Sequence, residues 1–200
     1  MKFKYVLSNA FPAIIMLIFA YIHFTHFVHT GGNFKASHFL LIIQMILAAV
    51  LFVIRLPAQI VSWKPWDVLV SLVGTFLPSF YSLENHSEHL IPIGIQMAGT
   101  LLSVYSMICL GKSMGIIPAN RGIKTHGIYR FVRHPLYLSY SIASFGYLMN
   151  HPNIYNAGLF LSSLLAQILR IYREEALLEK DPGYQSYKRQ TKWRLLPKVY

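Results

Sequence analysis

Two short stretches of this 200-residue chain hold most of its capacity for chemistry. The first is Arg133-His134-Pro135 within GIYRFVRHPLYLSY (127–140), where cationic and hydrogen-bonding side chains stand just ahead of apolar sequence. The second is RIYREEALLEKD (170–181), which carries Glu174, Glu175, Glu179 and Asp181, four of the seven acidic residues in the chain. Proline suits the first turn of a helix, where its missing N–H would have no intrahelical partner. Arg133-His134-Pro135 therefore reads as a helix start, whose backbone N–H groups and positive dipole end favour a carboxylate or phosphate. The side chains of Arg133 and His134 add donors at the same place. In the second stretch Arg170 and Glu174 are four residues apart and share a helix face. Plain structural ion pairing and headgroup contact explain such residues singly. Gathered at a membrane boundary, ionisable groups are more often functional.

The elements that must position them are apolar helices. The chain is 54% hydrophobic and 12% charged, with a mean hydropathy of +0.44. A soluble domain carries about 25% charged residues. Four apolar runs, Val6–Val28, His38–Ile54, Trp66–Leu83 and Leu90–Leu110, precede the first stretch. Each approaches the ~20 residues a spanning helix needs. Two shorter runs, Leu136–Met149 and Ile154–Ile171, flank Asn-His-Pro-Asn, a tight turn that predicts an antiparallel helical hairpin. Equal steps out from that turn place His134 opposite about Leu169 and Tyr129 opposite about Glu174. The fold class predicted is all-α: a polytopic integral membrane protein of about six transmembrane helices. Residues 1–110 form four membrane helices and 111–200 the region that carries the chemistry. Lys2 and Lys4 ahead of an apolar run resemble a signal peptide, but no small-residue cleavage site follows, so the run reads as a retained helix.

Charge sets the expected orientation. Counted at alternate helix ends, seventeen lysines and arginines fall on one side and only Lys35 on the other. The positive-inside rule then places both termini, and both polar stretches, on the cytoplasmic face. Topology thus accounts for the net charge of +11, and nucleic acid is not an expected partner. Cys109, the single cysteine, excludes an intrachain disulfide.

GIYRFVRHPLYLSY, the following REEALL (173–178) and YQSYKRQTKWRLLP (184–197) resemble the isoprenylcysteine carboxyl methyltransferase family, whose wider relatives include phospholipid N-methyltransferases. The preceding LGKSMGIIPANRGIKTHG (110–127) is similar to the segment through which that family admits its cofactor. The resemblance covers residues 110–197 and implies S-adenosylmethionine as methyl donor, bound at the cytoplasmic face. It also implies Tyr129, His134, Tyr137 and Glu174 as cofactor contacts, backbone groups of Gly122, Ile123 and Lys124 near the adenine, and Arg170 facing the carboxylate of the acceptor. The residue types suit that ligand. Its zwitterionic end needs an anion site, which Arg133, His134 and the helix start at Pro135 offer, beside an acid, which Glu174 offers. Its sulfonium suits aromatic faces. A carboxylate acceptor is already ionised at neutral pH and needs alignment more than a base. The acceptor class implied is a lipidated or hydrophobic molecule within the membrane lipid, most simply a prenylated cysteine.

Other readings stay open: N-methylation of a phospholipid headgroup, a non-catalytic membrane docking module, and a reductase, although no segment calls for a nicotinamide 2′-phosphate. His23, His26 and His29 recur every three residues without an adjacent acid, so they read as packing or interfacial histidines and no metal site is expected. Asn85 begins a glycosylation tripeptide, and Tyr184, Tyr187 and Trp193 read as an interfacial belt.

Overall fold

The computed structural model describes residues 2–29, 36–82 and 89–200; Lys35 and Asn85 lie outside them. Helix α1 (Lys2–His29) is followed by α2 (Ala36–Ile54), α3 (Pro65–Phe76), α4 (Leu90–Leu110), α5 (Pro135–Asn150), α6 (Ile154–Leu178) and α7 (Pro182–Gln190). Two short strands, β1 (Ile60–Val61) and β2 (Ala119–Asn120), pair antiparallel. Among the described residues four helical segments are long and apolar enough to cross a membrane: Asn9–His26, Ala36–Ile54, Leu90–Ser113 and Ile154–Leu178. The third expected run is shorter than a full span, because Pro78 cannot supply the next helical N–H and the chain tightens to a 3₁₀ turn over Leu77–Phe80. Helix α5, at 16 residues, is also short. Helix α6 extends seven residues past the apolar run that announced it, so Arg173, Glu174 and Glu175 are helical.

Helix α5 packs chiefly on α4, α6 on α3, and α1 on α2. The α4–α5 contact is backbone to backbone. A Cβ on Gly99 would sit 2.4 Å from the Ala143 nitrogen, and one on Gly146 would sit 2.5 Å from the Gln96 nitrogen. Without a hydrophobic force between helices in lipid, such small residues bring helices close enough for dispersion to hold them. Asn153 caps α6 by accepting the Asn156 N–H at 2.7 Å. Because α5 and α6 lean on different neighbours, the hairpin splays, and the equal-step register does not hold. His134 reaches Glu175, and Tyr137, not Tyr129, reaches Glu174.

Polar groups close the bundle at both ends. At the α5–α6 turn, Tyr147 donates to the Ser82 carbonyl at 2.9 Å, leaving its oxygen to accept from His38 Nε2 at 3.1 Å. Ser37 and His151 bond at 3.0 Å, and Gln96 Nε2 donates to the Ser37 carbonyl at 2.7 Å. At the opposite end the Leu56 N–H meets the Lys112 carbonyl at 2.7 Å, and Ile60 pairs with Asn120. That strap joins the second loop to the fourth, two of the loops richest in basic residues.

The close contact predicts a contrast among glycines. Gly99→Ala and Gly146→Ala each lose about 1–3 kcal/mol of stability through overpacking. Gly94→Ala and Gly158→Ala, where an added Cβ meets nothing within 4 Å, hold or gain stability. Thermal unfolding of the four variants in one detergent measures the difference.

Candidate functional site

The turn before α5 is shaped by Gly127, at φ +60°, where a Cβ would meet Cys109 Sγ at 2.4 Å. Only glycine combines that conformation with that approach. The 3₁₀ turn it opens, Gly127–Arg130, carries the Tyr129 side chain inward. Burial first, and then the Glu174 charge, hold the Tyr129 phenol well above its ordinary pKa, so it remains a neutral donor. Pro135 occupies the first helical turn with His134 as the N-cap, as expected from Arg133-His134-Pro135.

One buried carboxylate organises the next layer. Glu175, 3% exposed, accepts from Arg133 Nε at 2.7 Å and His134 Nε2 at 3.1 Å through one oxygen, and from Arg194 Nε at 3.0 Å through the other. The remaining donors around it bind the tail. Arg133 Nη1 donates to the Thr191 and Lys192 carbonyls at 2.8 and 2.7 Å. The Arg133 and His134 N–H groups donate to the Trp193 and Arg194 carbonyls at 2.9 and 2.8 Å. The tail after α7 thus crosses the start of α5 as a strap. Tyr184 and Tyr187 are not an interfacial belt: both are buried, and Tyr187 donates to the Tyr129 carbonyl at 2.6 Å. They turn inward because α7 presents its tyrosine face to the Gly127–Arg130 turn and its Lys188 and Arg189 away from it.

Beneath this strap lies a cavity of about 150 Å³ with an open mouth. Tyr129, Arg133, His134, Tyr137, Arg170 and Glu174 line it together. Arg133 and His134 reach the wall with side chains already engaged by Glu175. Tyr137 stacks on His134 at 5.6 Å between ring centroids and donates to Glu174 at 2.8 Å. The Arg170 guanidinium stands 4.9 Å over the Tyr137 ring and donates from Nη2 to the Ile116 carbonyl at 2.9 Å. Its stem lies against Gly74, where a Cβ would come within 2.9 Å of Cδ.

The charges of Arg170 and Glu174 are the unusual feature. They share a face of α6 and both line the cavity, yet they form no ion pair with each other. Among the described residues no carboxylate stands within ion-pair distance of Arg170, which is 5% exposed and leaves Nε unbonded. Nor does any cation among the described residues pair with Glu174. A buried cation and a partly buried anion, each facing the same space, call for a ligand carrying both signs or for two ligands of opposite sign.

Gly122, Ile123 and Lys124 are not on this wall. The Gly122 N–H is turned back onto Asn120 Oδ1 at 2.9 Å, and the part of that loop that lines the cavity is Ser113–Gly115. Pro135 is buried beside the wall. Sequence reasoning missed Glu175, whose neighbour Glu174 absorbed attention, and Tyr140, which lies one turn beyond Tyr137 and also lines the cavity. The periodicity of Tyr137-Leu138-Ser139-Tyr140 was the available signal. His23 bonds the Ser79 carbonyl at 3.1 Å and is a packing residue.

Residues 87–184 match the phospholipid methyltransferase family. The match runs from the approach to α4 into α7 and contains Tyr129, Arg133, His134, Tyr137, Arg170, Glu174 and Glu175. With four helices of membrane-spanning length it supports a membrane methyltransferase. A comparison with curated proteins finds no match. Methyltransferases of this kind draw their methyl group from S-adenosylmethionine, and the fit of the site can be judged from its donors. Tyrosine faces and a carboxylate free of protein cations suit a sulfonium and an ammonium group; a guanidinium free of carboxylates suits an anion.

The two adjacent glutamates should separate cleanly. Glu175→Gln leaves Arg133 and Arg194 without their carboxylate and costs about 3–5 kcal/mol, as expected for breaking a buried charge cluster. Glu174→Gln retains a partner for Tyr137 and leaves stability nearly unchanged. Unfolding midpoints of the two variants, compared in one detergent, test this; equal loss would contradict the assignment of Glu175 as the clamp.

Proposed function

We propose that the protein transfers a methyl group from S-adenosylmethionine to an anionic, membrane-soluble acceptor, most directly a carboxylate such as that of a prenylated cysteine, at the cytoplasmic face. The observation that carries this reading is the pair of unmatched charges, Arg170 and Glu174, on one cavity wall. Glu174 and the rings of Tyr129, Tyr137 and Tyr140 would hold the cationic part of the cofactor, and His134, stacked on Tyr137, would fix the position of that ring. The cofactor supplies an electrophilic methyl group. Arg170 would hold the acceptor carboxylate by charge-assisted hydrogen bonds, and its contact with the Ile116 carbonyl keeps the guanidinium plane fixed. No base is needed, since the attacking oxygen is already ionised. The protein's contribution is alignment of donor and acceptor within one cavity. Apolar lining from Leu41, Met45, Phe52, Leu110 and Leu136 gives the lipid part of the acceptor a path inside the bundle.

The family match favours a second acceptor, the amine of a phospholipid headgroup, with Arg170 on the phosphate. Arg170 distinguishes the two. For a carboxylate, Arg170→Ala lowers turnover by ~10²-fold or more with little change in cofactor affinity. Arg170→Lys then recovers little, because an ammonium lacks the planar fork. For a phosphate, Arg170→Lys keeps much of the activity, since lysine is a competent phosphate binder. The assay is transfer from labelled cofactor into a prenylcysteine analogue and into a membrane lipid extract. Full activity of Arg170→Ala on both would overturn either version.

A further inference from the structure

The cavity does not end at the charged mouth. It continues down the bundle between α2, α3, α4, α5 and α6, as far as Gln96, Ser79 and Tyr147. A passage for a plain hydrocarbon chain would be lined by carbon. This one is not. Gln44, Thr75, Gln96 and Gln167 all line it, and each has a buried polar atom without a hydrogen-bond partner: Gln44 Nε2, Thr75 Oγ1, Gln96 Oε1 and Gln167 Oε1. Gln96 is 1% exposed and Gln167 3%. Buried amides and hydroxyls without partners are costly, and more so in a membrane-spanning bundle than in a soluble core. Four around one cavity, from four different helices, are not a chance defect. They mark a second polar station that a ligand completes.

The chemistry of that ligand follows from which atoms are left over. The amide of Gln96 is oriented by the bond from Nε2 to the Ser37 carbonyl at 2.7 Å, so the free atom is the acceptor Oε1. The free atom of Gln167 is also an acceptor, while that of Gln44 is a donor. Ester and ketone oxygens only accept and leave Gln96 and Gln167 unanswered. A hydroxyl donates one hydrogen and also accepts, so one placed beside either amide oxygen supplies the donor that oxygen lacks. Depth can be gauged along α5. Gln96 is level with Gly146, nine residues from Tyr137, or about 13 Å at 1.5 Å per residue. Gln167 lies one turn from Arg170.

We propose that the hydrophobic acceptor carries at least one hydroxyl group apart from the group that is methylated, received by Gln167 at the shallower level of the cavity or by Gln96 at the deeper one. This rests on the reading of Arg170 and Glu174 as the mouth of the same cavity. The acceptor is then an oxygenated lipid, such as a hydroxylated acyl or isoprenoid chain, and not a simple saturated one. Selection works through the cost of an empty station. An acceptor without the hydroxyl buries the same carbon but leaves the glutamine oxygens unpaired.

Binding tests this without methyl transfer. Octadecanoate and a series of octadecanoates bearing one hydroxyl at successive chain positions are titrated into the purified protein in a non-ionic detergent, and affinity is read from the shift in thermal midpoint. The same pairs are compared with a phosphocholine headgroup. An unsuitable headgroup weakens both members of a pair equally and leaves the hydroxyl effect readable. At one or two chain positions the hydroxyl should tighten binding by about tenfold, the size of one well-made hydrogen bond in a buried site. The advantage at the shallower position should vanish in Gln167→Leu, and that at the deeper position in Gln96→Met. Gln167→Leu decides the matter if Gln96→Met, which also breaks the bond to Ser37, fails to fold. No advantage at any position, an advantage that survives the folded variants, or no binding by either series overturns the proposal. Arg170→Ala weakens all carboxylates alike and leaves the hydroxyl preference intact. Loss of that first effect alone counts against the mouth and not against the station.

Discussion

The buried carboxylate of Glu175 is the interaction on which the site depends. Arg133 and His134 come from the start of α5, Arg194 from the tail, and Glu175 itself from the last turns of α6. Three separated parts of the chain meet on two oxygens. Without that carboxylate the cations of Arg133 and Arg194 would repel each other in a dehydrated place, and the tail would keep only its hydrogen bonds to Arg133, His134 and the turn before α5. The clamp also sets the rotation of α6. With Glu175 turned into the cluster, Glu174 points to Tyr137, and Arg170, one turn earlier, faces the cavity. A structural charge cluster thereby leaves Arg170 and Glu174 without an ion-pair partner among the described residues.

Those two charges are informative because helical spacing would normally let them satisfy each other. Arg170 and Glu174 are four residues apart on one helix, a separation that commonly forms an ion pair. Here the Ile116 carbonyl and the Tyr137 ring draw the guanidinium one way, while the Tyr137 hydroxyl draws the carboxylate another. Gly74 makes room for the arginine stem where any side chain would displace it. Neighbours from α3, α5 and the loop ahead of β2 therefore keep open a gap between opposite charges. That gap is the feature on which the proposed site rests.

Much of this arrangement was legible in the sequence. The apolar runs mark the described helices closely, with α4 bounded by Leu90 and Leu110 as expected, because a membrane-length run has few other ways to satisfy its backbone. Pro135 marks the start of α5 for the same steric reason it does elsewhere. The failures share a cause. Hydropathy ended the sixth run at Ile171, although α6 continues to Leu178, where Glu175 is buried in its pair with Arg133 and Arg173 reaches Asp67. The hairpin register was misread because it assumed that α5 and α6 pack on each other, whereas each lies mainly on another helix. That Glu175, and not Glu174, meets His134 does not follow from spacing, since adjacent residues differ by about 100° and that rotation is set by tertiary contacts. Polar residues scattered through apolar helices, such as Gln96 and Gln167, carry no local pattern; only the shared cavity connects them.

The central claim is that the unmatched carboxylate of Glu174 belongs to a site for S-adenosylmethionine. Equilibrium binding of that cofactor to the purified protein, as wild type and as Glu174→Gln, tests it most directly. The account predicts that the wild type binds the cofactor, that its demethylated product competes, and that Glu174→Gln weakens binding by about 10- to 100-fold, the effect of losing one charged partner. Undiminished binding by Glu174→Gln, or a folded wild type that binds no S-adenosylmethionine, would contradict it.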